Sequence, residues 1–305
     1  MSLITNRTSE NATVKIDYSK CNHCGLCVNV CKDLTLVFKN EKVIINSEPL
    51  FGCIGCGQCV AICPNDAITM HGRTLTMEDF VDLPRIEDKI DYLKLYSLLL
   101  SRRSVRDFKD KEIPLEIINN ILDCSRTAPM GIPPSDVEVL ILNGKDKVKI
   151  FSDDVIDYFA KTRIIFNKHT LLLMRPFMKK SDFELFKTFL IPMIDFFVKK
   201  KELGEDWLLY GAPLAMYFYN SSYSDSADAY IAATYAMLAG ESIGLGNCMI
   251  GSISPFLEHS GKKIKAKYGI NKNSKQGIFI IFGYPKYKYQ KAIKRTFGKV
   301  IFSNN

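Results

Sequence analysis

The chain has 305 residues, 47% of them apolar, and a formal charge of +8 from 41 Lys and Arg against 33 Asp and Glu. That composition supplies a sizeable core and excludes a disordered chain, and the length predicts two domains rather than one. No apolar run approaches the roughly 18 residues that cross a bilayer: the stretch 183–198 is broken by Lys187, Pro192 and Asp195. The opening MSLITNRTSE has neither the charged start nor the apolar block of a signal peptide, so a cytoplasmic protein is expected.

In chain order, the first region is dominated by cysteine. Eight of the ten cysteines lie between Cys21 and Cys63, and CNHCGLCVNVCK at 21–32 recurs as CIGCGQCVAICP at 53–64. Short alternating or apolar stretches at 34–38, 42–46 and 67–70 predict strands, so the first unit reads as a small two-fold repeat around two cysteine loops. Residues 71–90 turn polar and acidic around Pro84, which places a junction there and a first domain at 1–85. Residues 1–89 carry nine Lys and Arg against eleven Asp and Glu, so the basic charge lies in the remainder. Its lysines are scattered and no nucleic-acid recognition motif appears, so no nucleic-acid partner is expected.

The second region, 90–305, mixes helices and strands in an α+β order. DYLKLYSLLLSRRSVRDF places Tyr92, Leu95, Tyr96, Leu99 and Leu100 at helical spacing, and IPLEIINNILDCSRTA opens a second helix with Pro114 at its first position. Strands are predicted at 137–142, 214–219 and 277–285, and a small-residue helix with glycines at its end at 227–246. The Lys-rich stretch 145–210 reads as a helical insertion, a lid or an extended dimer arm.

An iron–sulfur cube needs four thiolates from several directions. C-x-x-C-x-x-C wraps one side, and in two-cluster ferredoxins the fourth thiolate comes from the other run. This assigns Cys21, Cys24, Cys27 and Cys63 to one 4Fe-4S cluster and Cys53, Cys56, Cys59 and Cys31 to the other. Zinc would leave the third and fourth cysteine of each run without a role, and a reducing compartment disfavours disulfides. His23, inside the first loop, reads as an exposed loop residue, because a Rieske-type centre replaces cysteines and none is missing. Residues 12–75 resemble two-cluster bacterial ferredoxins, departing from them at Lys32, where proline usually follows the fourth cysteine.

SRRSVRDF at 101–108 gathers guanidinium forks around a hydroxyl, a set that suits a phosphate or the polar edge of a flavin and equally a solvated helix end. With the turn TAPMGIPPSDVEVLIL, the glycine-rich exit ESIGLGNCMIGSISP and the tail GYPKYKYQKAIKR, it resembles, over 92–300, the nitroreductase family of FMN flavoproteins. The resemblance implies an α+β homodimer with FMN at the subunit interface. It implies that Arg102, Arg103 and Ser104, with Arg106 nearby, hold the phosphate, ribityl chain and ring edge, and that Arg295 joins them on the phosphate. It also implies that Pro129, Met130 and Gly131 reach the flavin, often from the other subunit, and that Met249, Ile250 and Gly251 lie against the ring. The turn MGIPPSDV departs from the usual polar turn with its Pro-Trp pair, so a more apolar substrate side is expected. Cys124 and Cys248 read as buried small apolar residues.

The expected activity is electron transfer through two clusters to FMN and on to a nitroaromatic, quinone or activated alkene, with no catalytic side chain beyond the cofactor. The absence of a G-x-G-x-x-G after a strand favours a ferredoxin or flavodoxin donor over NAD(P)H. The alternatives are a redox relay or sensor for a partner protein, and a flavin reductase or dehalogenase on the same fold.

Overall fold

The computed structural model describes residues 10–165, 170, 172–173, 175–259, 261–275 and 277–303. The start of the predicted first domain and part of the 145–210 stretch, with His169, lie outside the described residues.

The first unit holds two antiparallel pairs. Strand β1 (Thr13–Ile16) pairs with β4 (Ile68–His71), and β2 (Leu36–Lys39) with β3 (Lys42–Ile45). The β2–β3 turn is closed by Asn40 and Glu41, both at positive φ, the conformation that matches the twist of a tight hairpin. β2 begins later than the pattern predicts, because Leu34 sits at φ 62, which no strand residue adopts. β1 is a strand the cysteine repeat does not announce: its four residues acquire a partner only when β4 returns beside it. Val14, Leu36, Val43, Ile68 and Met70 form the core, with the third cysteine of each run, Cys27 and Cys59, buried among them. Each of these is the second residue of a short helix, α1 (Leu26–Val30) or α2 (Gln58–Ala61), entered through Gly25 at φ 78 or Gly57 at φ 74. That left-handed entry is the reason for glycine between the second and third cysteines.

The second unit is built on an antiparallel sheet in the order β5 (Val137–Asn143), β6 (Leu214–Asn220), β8 (Ile278–Gly283), β7 (Gly246–Ile250). Both faces of its centre are covered, so β6 and β8 read as continuous apolar runs. Ala215, Tyr217, Phe279 and Ile281 face Val148, Phe151 and Val155 of α5 (Lys145–Ile165). On the other side, Met216, Phe218, Ile280 and Phe282 face α4 (Leu115–Arg126) and the helix Ser226–Ser242. The alanines of that helix allow close approach, and a Cβ on its Gly240 would stand 2.8 Å from the Phe282 ring.

Several expectations are corrected. Helix α3 (Tyr92–Ser101) ends at Arg102, and the arginine segment beyond it is not a solvated helix end but an extended edge, where Ser104 bridges Asn247 of β7 and Phe108 bridges Pro285. Pro114 is the extended cap of α4, not its first turn. Cys124 is exposed, because Ile118, Ile121 and Ser125 form the buried stripe of α4 and residue 124 falls beside it; Cys248 is buried as expected. His23 is half-buried, and its Nδ1 accepts the Val43 N–H at 3.2 Å. The 145–210 stretch does not stand off as a lid throughout: Phe197, in the helix Ile191–Glu202, is buried in the α5-side core. A wide π-type turn at Phe186–Leu190 precedes Pro192, whose ring would otherwise strike a carbonyl one turn back.

Candidate active site

The eight clustered cysteines separate into two cavities. Cys21, Cys24, Cys27 and Cys63 line one, closed by Ile16, Val43 and Ile68; Cys31, Cys53, Cys56 and Cys59 line the other, beside Asp33 and Met70. The cause is local. Each one-turn helix holds its buried third cysteine toward its own loop and carries the fourth past its end, across to the neighbouring run.

Electrostatics divides the thiols in the same way. Burial pushes the Cys27 thiol up, with lesser repulsion from Cys21 and Cys63. Burial likewise pushes Cys59 up to about 12, with repulsion from Cys53, Cys56 and Cys31. Among the described residues no three His, Cys, Asp or Glu side chains gather as the ligands of a single ion. The cysteines line cavities, the arrangement that suits a multi-iron cube.

The arginine-rich segment of the second unit is fixed to the sheet edge. Val105 donates its N–H to the Asn247 carbonyl at 2.9 Å, and Asn247 Nδ2 donates to the Met237 carbonyl at 3.0 Å. Gly246 is required here, since a Cβ would lie 2.7 Å from Val105 Cβ and Cγ1. Arg103, Lys109, Lys286 and Lys288 line a cleft of ≈ 950 Å³, open to solvent, with Glu241 as its carboxylate. Burial raises the Glu241 carboxyl, while Arg102 and the Ser101 hydroxyl pull it down. A Cβ on Gly244 would meet nothing, so this lining residue presents bare backbone to the cleft; Gly251, which is equally open, lies outside it. A predominantly cationic cleft with exposed peptide planes fits a flat ligand bearing a phosphate.

A second cleft, ≈ 1020 Å³, is lined by Pro129, Met130, Arg126, Ser135, Asp228 and Val139, among others. Gly131 donates its N–H to the Asp228 carboxylate at 3.2 Å, and burial raises that carboxyl above its ordinary value.

The predicted flavin residues therefore fall in separate places on one chain. Arg102 ends α3, Arg103 lines the first cleft and Ser104 pairs beside it. Arg106 sits 5.6 Å over the Tyr210 ring and does not line that cleft. Met249 is exposed between buried Cys248 and Ile250, with Gly251 just beyond. Pro129 and Met130 belong to the second cleft, and Arg295 lies in the exposed irregular tail after β8. Lys109, Glu241, Asn247 and Asp228 were not legible as site residues, because ordinary surface and capping positions carry the same residue types.

A model of the nitroreductase family matches residues 99–284, and one of a 4Fe-4S dicluster domain matches residues 13–64. No curated protein matches the chain. Among solved structures, a nitroreductase from Bacteroides fragilis with bound FMN is similar at 18% identity, with 70% of this chain and 99% of that one covered and a TM-score of 0.50. A nitroreductase from Desulfitobacterium hafniense with bound FMN aligns at 17% identity over 68% and 97%, TM-score 0.48. The FMN-dependent nitroreductase NfnB from Mycobacterium smegmatis, in complex with NADPH, aligns at 19% over 69% and 98%, TM-score 0.46. Among the described residues no helix is long and apolar enough to cross a membrane. With most of its length matched by the one family and its cysteine region by the other, the chain belongs to the nitroreductase family, as an FMN-dependent oxidoreductase that carries a 4Fe-4S ferredoxin domain.

Proposed function

We propose that the protein takes up single electrons at a ferredoxin domain spanning 1–85 and delivers them in pairs, at an FMN held by residues 90–305, to a small acceptor such as a nitroaromatic, a quinone or an activated alkene. Bound there, two 4Fe-4S clusters supply one-electron steps and FMN supplies the conversion to two-electron chemistry. The observation that carries this reading is the division of eight thiols into two four-cysteine cavities, in the same chain as a cationic, glycine-faced cleft.

Cys21, Cys24, Cys27 and Cys63 hold one cluster, and Cys31, Cys53, Cys56 and Cys59 the other, as thiolates. Burial favours the neutral thiol at Cys27, Cys53 and Cys59, so loading the metal releases protons there. Arg102, Arg103, Ser104 and Arg295 bind the phosphate, ribityl chain and ring edge, and Met249, Ile250 and Gly251 back the ring. Pro129, Met130 and Gly131 reach the same flavin from a second protomer, where their apolar turn excludes water from the acceptor side.

Dimerisation is supported by surfaces that one chain leaves uncovered. No residue of α3 is buried, and Phe297 and Phe302 in the tail are each 85% exposed. A second copy that covers α3 and the tail also closes the cleft, and light scattering should report a dimer. The ferredoxin domain makes a one-electron protein donor, a ferredoxin or flavodoxin, the preferred input.

The test is an anaerobic holoprotein assay, with eight irons and one FMN expected per chain. Turnover with reduced ferredoxin should be lost in Cys56→Ser and Cys59→Ser. Unchanged turnover in those variants, or zinc in place of iron, refutes the reading. Tight flavin binding without repeated turnover on any acceptor points instead to a redox relay or sensor.

A further inference from the structure

One side chain joins the cysteine loops to the flavin domain. Arg73 follows β4 and is 3% exposed. Its Nε and Nη2 both donate to the Pro133 carbonyl, at 3.1 and 2.8 Å, and its Nη1 donates to the Glu10 carbonyl at 2.8 Å. Pro133 lies in the same turn as Met130 and Gly131.

On the other side, the stem of Arg73 rests on the Cys53–Cys56 loop. A Cβ on Gly55, which sits at φ +69, would stand 3.2 Å from Arg73 Cβ and 3.4 Å from its Cδ. Ala12, just before β1, donates its N–H to the Cys53 carbonyl at 2.9 Å. The cavity lined by Cys21, Cys24, Cys27 and Cys63 has no such connection to the Pro133 turn among its lining residues.

We propose that Arg73 is a positioning residue that makes the Cys31, Cys53, Cys56 and Cys59 cluster the one that delivers electrons to the flavin: its fork clamps the Cys53 loop to the Pro133 turn, and its charge favours the reduced state of that cluster. This rests on the function proposed above. Each passage moves one electron, oxidising that cluster by one and reducing the flavin by one. Two passages, with two protons from solvent, complete the flavin's reduction. The cluster held by Cys21, Cys24, Cys27 and Cys63 is then the distal, entry-side cluster.

A reduced cluster carries one more negative charge, so a nearby cation raises its midpoint. A unit charge roughly 10 Å away, at an effective dielectric constant of about 20, shifts the reduction equilibrium by about tenfold. For a one-electron couple that is ~59 mV.

The test is a redox titration of the holoprotein followed by electron paramagnetic resonance, which reads the clusters with no acceptor present and is therefore separate from any loss of turnover. In Arg73→Gln, one cluster midpoint should fall by that tenfold equivalent while the other stays. Equal shifts at both clusters, or none at either, overturn the proposal. Arg73→Lys keeps the charge and loses the fork, so it should retain both midpoints while transfer from photoreduced clusters to flavin slows several-fold. Unslowed transfer in this variant overturns the clamp even if the Gln variant does not fold.

Discussion

Gly246 tests whether the seating of the arginine segment on the sheet edge controls the cofactor cleft. A methyl at this position would stand 2.7, 2.7 and 2.8 Å from Val105 Cβ, Cγ1 and Cγ2. Carbon atoms prefer about 3.5–4.0 Å, so the overlap is near 1 Å against three atoms. Val105 cannot swing aside, because it is buried and branched at Cβ, and its N–H is tied to Asn247. The strain must move the 103–105 segment, at an overpacking cost of about 1–3 kcal/mol. That lowers the melting temperature by roughly 2–12 °C. If seating the segment is coupled to ligand binding, flavin affinity falls by up to about a hundredfold. The assay is a melt of Gly246→Ala with a fluorescence titration of the flavin-stripped protein. Val105→Ala removes two of the three clashing atoms while costing stability by itself, so the double variant should melt at or above Gly246→Ala alone. A Gly246→Ala protein that melts and binds flavin like the parent, or a double variant whose losses simply add, refutes the reasoning.

Ligand pairing across the two runs predicts that Cys63→Ser perturbs the same paramagnetic signal as Cys27→Ser, and Cys31→Ser the same signal as Cys59→Ser; pairing within each run would give the reverse. Arg295→Ala should weaken FMN binding by roughly 10- to 150-fold, the worth of a charged hydrogen bond, and leave riboflavin binding, which lacks the phosphate, unchanged in the same titration. Asp228 has a native pKa above its ordinary 3.8, so the folded state holds its proton longer than the unfolded one. Stability contributed by this group is present below pH 3.8 and is lost as pH rises through the raised native value. Asp228→Asn should flatten that part of the melting-temperature profile, and an unaltered slope would show that Asp228 does not titrate there.

Much of the redox chemistry was legible along the chain because it is written at short range. A cube-binding loop needs its cysteines within one turn of backbone, so C-x-x-C-x-x-C survives as spacing without any knowledge of the fold. The strands β5, β6 and β8 were legible for a similar reason, since burial on both faces leaves uninterrupted apolar runs. The flavin side was less so. Arg102 and Arg103 read as the end of a helix, and only the pairing of Ser104 and Val105 with Asn247, some 140 residues later, turns the chain beyond them into an extended edge segment.

Sequence alone determined the two cysteine runs, the glycines that turn between their second and third ligands, and the apolar strands β5, β6 and β8 of the larger unit. Tertiary structure brings the fourth cysteine of each run beside the other's first three, and it alone decided that Cys124 faces solvent and that Arg73 bridges the Cys53 loop and the Pro133 turn. The difference is one of range. Ligand spacing and hydrophobic period are properties of neighbours in the chain, whereas a crossing thiol or a clamping guanidinium depends on which distant backbone arrives beside it.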